Sequence, residues 1–280
     1  MAHRLGKVAI RVMLGPNLVG LDAPVVAVVW MKVFGRLADV EVSDRATWLL
    51  FLAVWLIYSM DRWLDASRRA FYETERHQIH EGFPRSIQLA YGLVLLLLFK
   101  DAVIGLNARA WIAGVMLVFM TAGYFFCVHW QGERFPRSLP KELWVGMVFA
   151  AGCALVPWSL GKGLECWIWI VPLLGWVCFL NCAAITRWEN LRMDRERPGS
   201  LLNTWPVFLA RLAWICGITS AVCIALLLFL PAQRLALVSL AVSGVLLGMM
   251  DVFRESMDRR LLRVLADVAL LTPLLFVFFG

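Results

Sequence analysis

Charged residues are scarce in this chain, and no stretch of it has the composition of a water-soluble domain. Only 17% of its 280 residues are Asp, Glu, Lys or Arg, whereas 61% are hydrophobic. Its mean hydropathy is +0.74. Soluble globular domains are about 45–50% apolar. Because a basic face that binds nucleic acid needs a soluble domain to present it, the net charge of +7 does not indicate a nucleic-acid partner.

Two further absences concern cysteine pairs and a leader sequence. None of the seven cysteines forms a CxxC pair, and most lie within apolar runs, so we interpret them as packing residues rather than metal ligands or disulfides. Residues 1–20 contain charges, Pro16 and Asn17, without a small-residue cleavage site after a compact apolar core. This pattern predicts no cleavable signal peptide.

Long apolar runs make up most of the sequence. A helix needs about 20 mostly apolar residues to cross about 30 Å of hydrocarbon, and most of the runs approach that length. The sequence therefore predicts an all-α membrane protein, with one domain over residues 1–280 that forms a single bundle of nine transmembrane helices. The predicted spans are 12–35, 46–60, 86–106, 110–128, 142–160, 166–186, 206–230, 235–252 and 262–280.

The basic residues between these runs predict the orientation of the chain. Of the 27 Lys and Arg residues, nineteen fall on the side that contains the N-terminus, seven on the other, and Arg211 within a span. Cytoplasmic loops carry the excess of Lys and Arg in membrane proteins. We therefore expect the N-terminus inside and the C-terminus outside, with a bacterial inner membrane as the default location. The polar residues concentrate in the inner loops, so the functional site is expected on the cytoplasmic side.

The first candidate site follows the uncharged run 46–60, in the segment "YSMDRWLDASRR". This run is too short to span a membrane alone, so the helix is expected to continue through Asp61 and Asp65. Residues four apart share one helix face, so the two carboxylates would lie close together. Such hard oxygen ligands suit Mg²⁺. A network of salt bridges between Asp61 and the neighbouring arginines is the alternative interpretation.

A second polar segment, "TRWENLRMDRERPGS", follows the sixth run. Its candidate metal ligands are Glu189, Asn190 and Asp194, and Asn190 and Asp194 repeat the four-residue spacing. Two acidic clusters on the inner ends of different helices could hold metal ions that bridge a diphosphate. The basic residues near them that could bind phosphate oxygens are Arg62, Arg68, Arg69, Arg134, Arg137, Lys141 and Arg197.

Nine spans with acidic segments after the second and sixth resemble the UbiA superfamily of intramembrane prenyltransferases. "DRWLD" is similar to the second half of that family's first motif, N-D-x-x-D-x-x-x-D, and "MDRER" to part of its second. "LPKELWVGMVFAAG" resembles the segment that leads into the family's fifth span. The resemblance implies Mg²⁺-dependent transfer of a prenyl group from a prenyl diphosphate to an aromatic or other lipophilic acceptor within the bilayer. It also implies catalytic roles for Asp61, Asp65 and Asp194.

Two other functions remain open. Ile57 and Tyr58 stand where the family has Asn and Asp, which favours a relative that has lost catalysis and binds lipid or serves assembly. A small transporter would instead use intramembrane charges such as Asp22, Asp61 or Asp267. For Asp22 we favour a helix N-cap, because Pro24 follows it within the first turn. For Asp267 we expect a buried carboxylate that pairs with Arg263, four residues before it.

Overall fold

The computed structural model of the protein describes residues 20–68, 84–129, 140–161, 165–189 and 201–279. Every regular element in these ranges is helical. The α-helices are α1 (Asp22–Leu37), α2 (Asp44–Arg68), α3 (Pro84–Gly105), α4 (Ala108–His129), α5 (Lys141–Leu160), α6 (Glu165–Glu189), α7 (Leu201–Thr204), α8 (Pro206–Ala210), α9 (Leu212–Leu226), α10 (Arg234–Val252), α11 (Arg259–Ala269) and α12 (Pro273–Phe279). Two short 3₁₀-helices, Pro231–Gln233 and Arg254–Ser256, flank α10.

Each predicted apolar run overlaps one of these helices or two consecutive ones, but not all of the helices are long membrane spans. Four helices are long and apolar enough to cross a bilayer: Ala108–Val128, Lys141–Leu160, Trp167–Glu189 and Pro231–Val252. The first helix has only 16 residues, or about 24 Å. The seventh run is divided between α8 and α9, and the ninth between α11 and α12. The all-helical class is therefore confirmed on the described residues, and four helices there are candidate membrane spans, whereas nine spans are not confirmed.

Polar side chains and a proline explain the interruption of the ninth run. Thr272 donates a hydrogen bond to the Ser239 carbonyl of α10 at 2.9 Å, and its hydroxyl lies 2.8 Å from that of Ser243. Pro273, which has no N–H to donate, then occupies the first position of α12, where that N–H is not needed. Hydrogen bonds from the Thr272 hydroxyl to α10 thus stabilise the turn between α11 and α12.

Helix α6 lies at the centre of the packing. It contacts α5, α10 and α11, while α1 packs against α2, α5, α11 and α12. Within α6, Ile170, Leu174 and Phe179 are fully buried. Of the apolar segment that could cross the membrane, 56% is buried in α6 but only 6% in α4. Because α4 and α3 expose large apolar side chains such as Phe99 and Phe119, these outer helices are suited to contact with lipid.

A close backbone approach joins α5 to α6. A Cβ atom added to Gly146 would lie 2.5 Å from the Gly175 carbonyl oxygen, and one added to Gly175 would lie 2.6 Å from the sulfur of Met147. Small residues allow membrane helices to approach in this way, and the approach supplies van der Waals contact that lipid does not replace.

We expect Gly146→Ala to destabilise the protein in detergent by about 1–3 kcal/mol, because the added methyl group forces two helix backbones apart. The measurement is the free energy of unfolding from equilibrium denaturation. Gly92→Ala is the matched control, since no described atom outside the adjacent backbone of its own helix lies within 4 Å of a Cβ at this position. Alanine there should be neutral or stabilising, by up to about 1 kcal/mol. Equal effects of the two substitutions would contradict the role of Gly146.

Candidate functional site

Four helices contribute charged side chains to one end of the bundle. Arg62, near the end of α2, pairs with Asp22 at the start of α1, with 4.0 Å between the Nη2 and Oδ1 atoms. Arg263 of α11 donates to Glu189, the last residue of α6, at 2.6 Å. Arg62 and Arg263 lie near enough for their charges to interact. The two ion pairs therefore form one cluster, which we call the mouth cluster: Asp22, Arg62, Glu189 and Arg263.

Partial burial defines the electrostatics of the mouth cluster. The side chains of Arg62 and Asp22 are 19% and 14% exposed, and those of Arg263 and Glu189 are 27% and 26% exposed. The Asp22 carboxylate stabilises the positive charge of Arg62 in this partly buried position. An arginine remains charged in proteins, so Arg62 is a partly buried cation whose charge needs an acidic or phosphate partner.

A second layer of polar groups lies beside the mouth cluster. Asn181 of α6 donates from Nδ2 to the Ala266 carbonyl at 3.1 Å and to Asp267 Oδ1 at 3.4 Å. The Asp22 and Asp267 carboxyl groups lie near enough for their charges to interact. Tyr58 lies close to both carboxyl groups. Asp22 therefore connects the mouth cluster to this inner group, which we call the inner polar group: Tyr58, Asn181 and Asp267.

A separate buried ion pair fixes the end of α6 to α10. Asp251 is only 2% exposed and accepts hydrogen bonds from Arg187 Nη1 at 3.1 Å and from Trp188 Nε1 at 3.0 Å. Arg187 also donates to the carbonyl of Leu209 in α8. Arg254 forms a further ion pair with Asp251 at 3.8 Å. These contacts hold the segment that precedes Glu189 in place.

The start of α5 adds a cation and an acid near the inner polar group. Pro140 precedes the helix in an extended conformation, and Lys141 and Glu142 form its first turn. Glu142 is 5% exposed. Both side chains interact electrostatically with Cys182 of α6, which in turn lies near Asp267. Lys141, predicted as a phosphate ligand, is thus close to the polar end of the bundle.

The structure describes only part of the predicted metal and phosphate site. Asp61 is half-buried near the end of α2, next to Arg62 in the chain. Asp65 and Arg68 are in the last turns of α2, and their side chains are outside the described set. Six other predicted residues lie outside the described ranges: Arg69, Arg134, Arg137, Asn190, Asp194 and Arg197.

The residues that are described can be tested for their fit to Mg²⁺. Carboxylate oxygens are the ligands this ion prefers, and Asp61 and Glu189 supply them from the ends of two different helices. Glu189 is engaged by Arg263. Among the described residues, no group of three His, Cys, Asp or Glu side chains is arranged to hold a metal ion. The carboxylates of Asp61 and Glu189 therefore fit Mg²⁺ in their chemistry. A complete set of metal ligands would also have to include predicted ligands whose side chains the structure does not describe.

One prediction from the sequence is wrong, and another holds only in part. Asp22 is not the N-cap: Leu21 occupies that position without a side-chain cap bond, and Asp22 is the first helical residue. Its carboxylate pairs instead with Arg62, a partner distant in sequence. Asp267 does lie near Arg263, but the short ion pair of Arg263 goes to Glu189.

Sequence reasoning missed Asn181 and the position of Tyr58. Asn181 is an amide within the apolar run 166–186 and is 3% exposed in the structure. Polar residues inside membrane helices are costly, so this one could have been singled out from the sequence. Tyr58 carries no such signal, because tyrosine is common near membrane interfaces. No protein-family model, curated protein or solved structure was found to match the chain.

Proposed function

We propose that this protein is a divergent UbiA-type prenyltransferase that moves a prenyl group from a prenyl diphosphate to a lipophilic acceptor within the membrane. The observation that carries the proposal is the mouth cluster. Arg62 belongs to the first acidic segment and Glu189 to the second, and Asp22 and Arg263 bring them to one end of the bundle. This is the arrangement that two half-sites facing a shared diphosphate require.

Each group has a role in that reaction. Asp61, Asp65, Glu189, Asn190 and Asp194 would hold Mg²⁺, and Arg62 and Lys141 would bind phosphate oxygens together with the arginines predicted above. Bound Mg²⁺ would stabilise the negative charge that develops on the leaving diphosphate. Arginine pairs bidentately with phosphate and keeps its charge when partly buried, which suits Arg62 to this role. The prenyl chain would lie among the apolar helices, away from water.

The proposal extends to the topology. Nine membrane segments would be formed by α1 to α6, by α8–α9 together, by α10, and by α11–α12 together. The N-terminus would lie inside, the C-terminus outside, and the mouth cluster on the cytoplasmic side of a bacterial inner membrane. The basic residues that follow α2 and α6 support this orientation, because they are concentrated on one side of the predicted spans.

A catalytically degenerate, lipid-binding relative is the second candidate. The 2.6 Å ion pair between Arg263 and Glu189 favours it, because this pair occupies a carboxylate that a metal site would need. The presence of Tyr58 in place of the acid of the family's motif favours it as well. In this case the arginines would still bind a phosphate headgroup, but binding would not depend on Mg²⁺.

Binding of a non-hydrolysable geranylgeranyl diphosphate analogue to the purified protein separates the two candidates. The prenyltransferase proposal predicts binding that falls at least tenfold when EDTA replaces Mg²⁺, because metal-mediated contacts to the diphosphate are lost. The degenerate relative predicts binding that EDTA leaves unchanged. Absence of binding across several prenyl chain lengths would contradict both proposals. The matched ligand control is the corresponding prenyl alcohol, which has no diphosphate for the metal to hold.

A further inference from the structure

An open groove runs along the surface between α9 and α10. It consists of two adjoining hollows of about 500 and 380 Å³, which share Ala213, Gly217 and Val252 as lining residues. All of the residues that line the two hollows are apolar. Both volumes lie within the range of about 300–1,000 Å³ that is typical of small-molecule pockets. The groove therefore has room for a ligand, and its lining favours an apolar one.

Small residues create this groove. Ala213, Gly217 and Ala221 follow one another at four-residue intervals and therefore share one face of α9. On α10, Gly248 lies so close to α9 that an added Cβ atom would be 3.4 Å from the Ala213 carbonyl oxygen. A Cβ atom added to Gly217, in contrast, would meet no described atom within 4 Å outside the adjacent backbone of its own helix. The two helices are thus in contact at Gly248, while the described part of the chain leaves the space beside Gly217 open.

The length of the groove matches one leaflet of a bilayer. Ala213 and Ala221 are eight positions apart, which is about 12 Å along a helix. The hydrocarbon of one leaflet is about 15 Å thick, half of a core of about 30 Å. Trp214, Ile218 and Met249 line the groove and are more than half exposed, so they are suited to contact with lipid. An acyl chain of one leaflet therefore fits both the length and the apolar lining.

Arg211 places a positive charge at one end of the groove. It is the single charged residue of the seventh apolar run, 206–230, and it separates α8 from α9, two positions before Ala213. The residue is exposed, and it forms no ion pair with any residue that the structure describes. A charged residue inside an apolar membrane segment is costly and usually marks a functional site. Arg211 therefore indicates a partner outside the described chain.

The charged network that joins α6 to α10 at this end is balanced without Arg211. Arg187 and Arg254 both pair with Asp251, and Arg254 also pairs with Glu255. Two arginines thus face two acids. Arg187 also donates to a backbone carbonyl of α8, the helix that ends just before Arg211, so the network and Arg211 lie at the same end of the groove. Because the network is neutral, the charge of Arg211 is a surplus there, and an anion is the complementary ligand.

We propose that the groove binds an anionic phospholipid of the surrounding bilayer, with one acyl chain along Gly217 and the phosphate group on Arg211. A guanidinium group pairs bidentately with phosphate oxygens. The acyl chain fills space that side chains leave open, and van der Waals contact of this kind drives association within membranes. The site is independent of prenyl transfer, because neither Arg211 nor any residue that lines the groove is a predicted metal or phosphate ligand there.

A second copy of the chain is the competing occupant of the groove, and the charge of Arg211 disfavours it. A symmetric dimer uses the same surface patch on both subunits. With both copies in the same orientation in the membrane, the two Arg211 side chains would approach one another at the same depth. Like charges that face each other across an interface are costly. A phospholipid brings the opposite charge to the same place.

Native mass spectrometry of the full-length protein, titrated with phosphatidylglycerol or with phosphatidylcholine of identical chains, tests the proposal. We expect the wild type to bind phosphatidylglycerol more tightly. Arg211→Gln should lower that affinity about fivefold, the effect of one basic residue near a membrane surface. Arg234→Gln is the matched control, since Arg234 is an exposed arginine at the other end of the same helix pair. Equal losses in the two variants, or no loss in Arg211→Gln, would overturn the proposal.

Filling the groove tests the position of the acyl chain. Gly217→Leu should fold, because its side chain enters open space, and should lose most of the phosphatidylglycerol binding. Gly92→Leu is the matched control, since Gly92 is an exposed helical glycine of α3 with equally open described surroundings. Loss of binding in Gly92→Leu with retention in Gly217→Leu would overturn the proposal.

Photo-crosslinking locates the bound lipid and separates it from a second copy of the chain. A phosphatidylglycerol with a diazirine in its acyl chain should label peptides from 213–221 and 244–253 in preference to the exposed helix α4. Equal labelling of α4 would contradict a specific site. The mass spectra also report the oligomeric state. A dimer that dissociates in Gly217→Leu, together with lipid binding that Arg211→Gln leaves unchanged, would overturn the proposal in favour of a second copy.

Discussion

Asp61→Asn and Asp194→Asn should each abolish Mg²⁺-dependent release of diphosphate, with turnover reduced by roughly 10²–10³-fold or more. Both substitutions keep the size of the side chain and remove the charge that would hold the metal against the diphosphate. Asp61 lies half-buried next to Arg62 in the chain, and Asp194 belongs to the second acidic segment. The measurement is diphosphate released from a prenyl diphosphate by purified protein, with and without Mg²⁺.

Asp44→Asn is the matched control for Asp61→Asn. Asp44 is an exposed aspartate at the opposite end of the same helix, so its substitution changes the same charge without touching the mouth cluster. Melting temperatures should agree among the variants, which would separate loss of the reaction from loss of folding. Normal turnover in both Asp61→Asn and Asp194→Asn would contradict the proposed metal site, whatever the control shows.

The helical class could be predicted from the sequence because it depends on a local feature, the length of the apolar runs. Apolar runs need helical backbones in a bilayer, since only internal hydrogen bonds satisfy the peptide groups there. The helix boundaries depend on more distant contacts. Helix α1 begins at Asp22, and its position depends on its packing against α2. The helix break before Pro273 is stabilised by contacts of the Thr272 hydroxyl with Ser239 and Ser243 of α10. The local sequence does not identify those partners, because they lie on other helices.

The polar end of the bundle was predictable in its residue types but not in its pairings. The sequence indicated that α2 and α6 would end in charged segments, and the structure brings Arg62 and Glu189 of those segments into one cluster. It did not indicate that Asp22 would pair with Arg62, because the two residues lie on different helices and are far apart in the chain. Such contacts depend on which helices are neighbours, and the apolar pattern alone does not determine that arrangement.

The other large effect is expected at Asp251, where alanine should destabilise the protein by about 3–5 kcal/mol. Removal of this carboxylate leaves Arg187 with an uncompensated charge and Trp188 without the acceptor for its Nε1–H. Asp251 is 2% exposed, so water does not readily replace the lost partner. The measurement is the free energy of unfolding in detergent, from equilibrium denaturation.

Glu255 supplies a matched control because it pairs with the same arginine as Asp251. The Glu255 side chain is 87% exposed, and its contact with Arg254 Nη2 is 3.4 Å long. Glu255→Ala should therefore change stability by less than about 1 kcal/mol, as is usual for exposed ion pairs. Similar losses in Asp251→Ala and Glu255→Ala would show that burial does not determine the strength of these contacts.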